Sequence, residues 1–144
     1  MTARLVSPHA RATAVVLGLL LTTLGAISTA SAADPITIEV VVSPNVLNLR
    51  GAGVLLTVHA DIPYNAVDPT TVELRDDHGN FVVMDWCKAD DRGDFVAKFV
   101  MAEVVHQLEL APDGINNLTL AGMTTDQVAF AGTDGVKVIE RSGR

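Results

Sequence analysis

The 144-residue chain has one cysteine, Cys87. A lone thiol closes no internal disulfide, so the fold must be held by its core. Free cysteine behaves as a small hydrophobe, and Cys87 is expected to be buried; a bridge between two chains is the alternative. Aromatic residues are scarce too: one Trp, one Tyr and four Phe. That leaves little for a carbohydrate surface built on aromatic platforms. Phe81, Phe95, Phe99 and Phe130 fall on expected strand positions and read as core. Trp86 reads as a residue at the core's edge. Beyond residue 32 the only serines are Ser43 and Ser142, and neither sits in a nucleophile elbow. His59, His78 and His106 lie at no metal-ligand spacing with each other or with Cys87. No phosphate-cradling glycine loop precedes a helix.

Long apolar runs are absent after the N-terminus. The single run, Ala12 to Ile27, is shorter than a bilayer span usually needs. Arg4 and Arg11 precede or open it, and Ala30-Ser31-Ala32 follows with small residues at cleavage spacing. Residues 1–32 therefore read as a secretory signal peptide, and the mature chain is expected to start near Ala33 with no membrane span of its own. Residues 33–140 form one expected domain and residues 141–144 a frayed tail.

Basic residues are also few. The chain carries 10 Lys and Arg against 17 Asp and Glu, a net charge of −7. Without Arg4 and Arg11 the balance is 8 against 17, or −9. Such a surface repels phosphate backbones and excludes nucleic acid as a partner, while tolerating divalent cations.

What the chain has in quantity is alternation. Ile36, Ile38, Val40 and Val42 recur with period two, and Val54, Leu56 and Val58 repeat the pattern. Further strands are predicted at Val46–Leu49, Thr70–Leu74, Phe81–Trp86 and Phe95–Val100, with two or three short ones in Leu118–Glu140. Asp76-Asp77-His78-Gly79-Asn80 is a strong turn signal. Met101 to Leu110 changes period, because Val104, Val105 and Leu108 are spaced for a short helical turn. No internal repeat of fixed period is evident. Eight to ten short strands with regular turns predict an all-β, antiparallel sandwich with one helical turn.

Three blocks carry a family resemblance. They are Pro44-Asn45 with Leu47-Asn48-Leu49 and Gly53; Val67 to Leu74; and Ala97-Lys98-Phe99 leading through Glu103-Val104 to Leu118-Thr119, Gly122, Asp126, Phe130, Gly132, Asp134 and Val136-Lys137-Val138. In order and spacing they resemble a secreted bacterial Ig-like β-domain family, of the cohesin- and dockerin-associated type. The resemblance implies an Ig-like sandwich. It also implies a calcium-like loop, Asp-x-Asn-x-Asp-Gly-x-x-Asp, aligned here with Trp86 to Asp94. Asp90 and Asp94 match it, whereas Trp86 and Lys88 replace the first Asp and the Asn, and Gln127 follows Asp126 where the family usually has Gly.

The acidic loop is the candidate site. Calcium takes six to eight oxygens from a short flexible loop, and Asp85, Asp90, Asp91 and Asp94 could supply some. Lys88 and Arg92 compete as internal counter-charges, and a solvated turn with local ion pairs is the plainer reading. No catalytic residue and no cofactor other than calcium is expected. The leading expectation is a secreted, non-enzymatic module for binding or adhesion, outside the cell or at its envelope, with a protein or polysaccharide as partner. The alternatives are a calcium-stabilised structural module without a ligand, and a small carboxylate-based hydrolase.

Overall fold

A computed structural model describes residues 34–51 and 53–141. The expected signal peptide, Ala33 and most of the expected tail lie outside the described residues. The domain has ten strands and one helix: β1 (Ile36–Thr37), β2 (Val40–Ser43), β3 (Val46–Asn48), β4 (Leu55–Pro63), β5 (Val67–Arg75), β6 (Phe81–Val83), β7 (Trp86–Ala89), β8 (Asp94–Val100), α1 (Met101–Gln107), β9 (Gly114–Thr124) and β10 (Ala129–Ile139).

The strands form two sheets. One has the order β2-β4-β8-β7; the other runs β1-β10-β9-β5-β6, with β3 also pairing β10. All pairings are antiparallel except those of β1 and β3 with β10. This is an immunoglobulin-like sandwich, four strands facing a sheet in which β10 pairs β9 and β9 pairs β5. Alternating side chains fill the space between. Leu56, Val58, Phe95 and Phe99 come from one sheet and Leu74, Leu118, Leu120 and Phe130 from the other, all essentially inaccessible to water.

Both flanks of the sandwich are crossed by a segment that changes sheets. The run from Ile36 to Val42 reads as one strand in sequence, yet it splits. β1 pairs with β10, Ile38 N–H still donates to Ala131 O (3.0 Å), and β2 then joins β4. Phe81 to Trp86 splits likewise. Met84 N–H donates to Val72 O in one sheet (3.3 Å), and Asp85 N–H to Lys98 O in the other (2.9 Å). Period-two alternation does not record which sheet a strand pairs with, so it cannot predict the switch. The two crossings shorten the open edges at which sheets otherwise aggregate.

The predicted helical turn is α1. Met101 and Val104 are its buried positions, Leu108 is buried just after it, and it packs against β4, β6 and β8. Two other expectations are corrected, and β4 runs on to Pro63 before a 3-10 turn, Tyr64–Ala66. Leu118–Glu140 holds the bulk of two eleven-residue strands rather than two or three short ones. Phe81 is 50% exposed rather than part of the core, because β6 turns it away from the opposite sheet. Cys87 is half-buried against the core, with its Sγ 4.0 Å from the Tyr64 hydroxyl. The neighbouring thiol is the main cause that pushes the Tyr64 phenol above its ordinary value.

Candidate binding surface

The acidic loop is a hairpin turn between β7 and β8. Asp90 N–H donates to Asp94 O (2.9 Å), and Gly93 N–H, at φ +87°, donates back to Asp90 O (3.0 Å). One oxygen of Asp90, Oδ1, accepts from Arg92 N–H (2.8 Å) and Asp94 N–H (3.0 Å). Arg92 pairs with Asp94 at 2.9 Å and reaches Asp90 at 4.0 Å. The hydrogen bond from Asp94 N–H is the chief cause that holds the Asp90 carboxyl below the usual range, with help from Arg92 and against some burial. Asp91 sits in the exposed turn, and Asp85 lies before β7 with its N–H spent on Lys98. The four acids do not converge: among the described residues no three His, Cys, Asp or Glu gather as metal ligands. Asp90 spends one oxygen on its own backbone, and Arg92 occupies the position where a cation would compete.

The same turn closes all three hairpins. Between β5 and β6, Asp76 N–H donates to Asn80 O (3.1 Å), Gly79 N–H to Asp76 O (3.4 Å, φ +89°), and Asp76 Oδ1 accepts from Asn80 N–H (2.9 Å). Between β9 and β10, Thr124 replaces the Asp. Its N–H donates to Val128 O (2.8 Å), and its Oγ1 accepts from Val128 N–H (3.1 Å). The fourth position must be left-handed, which Gly79 and Gly93 adopt freely. Gln127 adopts it at φ +63° and carries the cost of its side chain. Gln127→Gly is expected to raise stability by about 0.5–1 kcal/mol, read as a shift in urea midpoint at unchanged slope. Asp-Asp-x-Gly-Asx occurs twice in the sequence, at 76–80 and 90–94. That recurrence is the signal that identifies the acidic loop as a turn.

Asp76 does more than close its hairpin. Its Oδ2 accepts from Asn80 Nδ2 (2.8 Å) and from Glu109 N–H (2.7 Å), which ties the turn to the segment after α1. Burial alone pushes its carboxyl up. The bonds from the Asn80 side chain and from Glu109, Asn80 and His78 N–H outweigh that and hold it low. Asp134 is a second tie, because its Oδ2 accepts from Val42 N–H (2.8 Å) and closes the outer edge of β2.

One surface open to contact with other molecules is the outer face of the β1-β10-β9-β5-β6 sheet. Register places small side chains side by side there: Ala131 opposite Ala121, and Thr133 opposite Thr119, whose hydroxyls stand 2.7 Å apart. The strand β5 adds Glu73 and Arg75, which form an ion pair with each other. On β6, Val83 stands opposite Glu73 and Phe81 opposite Arg75, 59% and 50% exposed. Ile115, at the far end of β9, is 70% exposed. A shallow hollow of about 310 Å³ opens on this face beside Pro35, Met123 and Ala129. The face is apolar at its margins and carries few charges, the Glu73–Arg75 pair and Lys137 opposite Ile115, on a protein that is acidic elsewhere. Sequence reasoning missed it because Phe81 was assigned to the core.

No protein-family model matches the chain, and no curated protein matches it. Among solved structures it is similar to CopC from Methylosinus trichosporium OB3b, at 16% identity and a TM-score of 0.41, over 74% of this chain and 98% of that one.

Proposed function

We propose that the protein is a secreted, non-enzymatic binding module, working outside the cell or at its envelope, that holds a partner protein against the outer face of the β1-β10-β9-β5-β6 sheet. The observation that carries this reading is the exposure of Phe81 and Val83 beside a small-residue sheet of few charges. Desolvating such a face costs little, since it has few charges and the one ion pair satisfies itself. It also offers few hydrogen bonds, which suits a flat apolar protein surface better than a sugar. The leader-like N-terminus supports export. The carboxylates with displaced pKa, Asp76 and Asp90, are both lowered, Asp76 chiefly by the Asn80 side chain and Asp90 chiefly by Asp94 N–H, the opposite of what a general acid needs.

The test uses Phe81→Asp, together with a photocrosslinking amino acid in place of Val83 or, on the other sheet, Val41. The residue at Val83 is expected to capture one partner from envelope or culture-medium proteins, and Phe81→Asp to weaken that partner's binding at least ~10-fold without changing the melting temperature. Equal capture from Val41, or binding indifferent to Phe81→Asp, would overturn the reading.

A further inference from the structure

We infer that the opposite face, the outer surface of the β2-β4-β8-β7 sheet, binds an acidic polysaccharide, a chain of uronate sugars. This site is separate from the protein-binding face proposed above and stands without it. The register lines up Trp86, Lys98, Thr57 and Ser43 across the four strands, and Lys88, Val96, His59 and Val41 in the adjoining row. Trp86 is 42% exposed. The Lys98 ammonium stands 5.8 Å from its ring centroid and donates to Thr57 Oγ1 at 2.5 Å. An ammonium has three donors, so two remain for a ligand. Val96 faces outward yet is fully buried, so the side chains around it close into a continuous platform.

Charge sets the ligand's sign. The ion pairs of the described residues use Arg50, Arg75 and Arg92; Lys88, Lys98 and Lys137 stand in none, and of these Lys88 and Lys98 share this sheet. Two lysines without acidic partners, on neighbouring strands beside the one Trp, make a cationic and aromatic patch on an acidic protein. The net charge of −7 does not prevent docking, because its field fades over about 8 Å at physiological salt, while the lysines act at contact. Asp85 borders the patch beside Trp86. Glu39, Asp61 and Asp90, the last beside Arg92, line a hollow at Val41 and His59 and steer an anionic chain toward Trp86, Lys98 and Lys88. A sugar ring presents one face of C–H bonds, which stacks on an indole; its carboxylates meet the ammonium groups, and its hydroxyls meet Thr57 and Ser43. An acidic peptide satisfies the lysines but has no such ring for Trp86.

The experiment measures binding of the protein to polygalacturonate, neutral dextran and polyglutamate, at low and high salt. Polygalacturonate is expected to bind, to weaken with salt, and to lose at least ~10-fold in affinity on Trp86→Ala and on Lys88→Glu. Lys88 is exposed, so its variant keeps the fold. Dextran is expected not to bind, and Phe81→Asp, on the other sheet, to change nothing. The inference is overturned if polygalacturonate does not bind, if polyglutamate binds as well with no effect of Trp86→Ala, or if Phe81→Asp abolishes binding.

Discussion

Asp76→Ala is expected to lower the stability of the domain by about 3–5 kcal/mol. Four donors converge on that carboxylate, from Asn80 N–H and Nδ2, His78 N–H and Glu109 N–H. Each charge-assisted bond contributes about 1.5–3 kcal/mol, and they are not additive. The side chain is only 8% exposed, so truncation leaves some of these donors away from water. Glu109 lies beyond α1, so the loss also frees that segment from the β5–β6 hairpin. Asp90→Ala is the comparison. Its second oxygen meets only the exposed Arg92, so a smaller loss is expected. The effect depends on pH with a fixed sign. The Asp76 carboxyl is held low in the folded state. Its contribution is therefore complete above the unfolded value of about 3.9 and disappears as pH falls through the folded one. Urea melts of wild type and Asp76→Asn are expected to differ widely at pH 7 and by less at pH 3. A gap unchanged at pH 3 would show that the charge on Asp76 is not what matters.

Gly132→Ala is expected to cost about 2–3 kcal/mol. Alanine in a strand interior is ordinarily preferred to glycine by about 0.5–1 kcal/mol, so the sign itself is informative. A Cβ at this position meets Ile38 O at 2.5 Å and Val40 Cγ1 at 2.8 Å. This is where the chain between β1 and β2 passes over β10 to change sheets, and the carbonyl there cannot step aside without breaking the Ile38-to-Ala131 hydrogen bond. Gly135→Ala, three residues on, meets only the Ile115 side chain at 3.1 Å and serves as the tolerated control. Thermal melts of the two variants measure the contrast. Equal melting temperatures would mean that the crossing segment gives way freely.

The fold was legible in the sequence where side chains alternate over one core. Leu56 and Val58 announce β4, and Val104 and Leu108 announce α1. What alternation leaves open is the partner of each strand. Phe81 and Trp86 belong to one apolar stretch, yet β6 and β7 lie in different sheets and turn them to opposite outer faces. For the same reason both were read as core or core edge. The acidic loop was located correctly, but its chemistry depends on where the Asp90 oxygens point. Residue types alone do not separate an oxygen offered to a cation from one given to its own backbone. The clue was the near copy at Asp76, whose role as a turn was plain.

Because β1 and β3 run parallel to β10, the described chain enters beside the beginning of β10 and leaves from its end. Tension applied to the two ends therefore loads those ladders lengthwise, and their hydrogen bonds share the force instead of opening one after another as in an unzipped hairpin. A domain built this way resists being drawn out along its length.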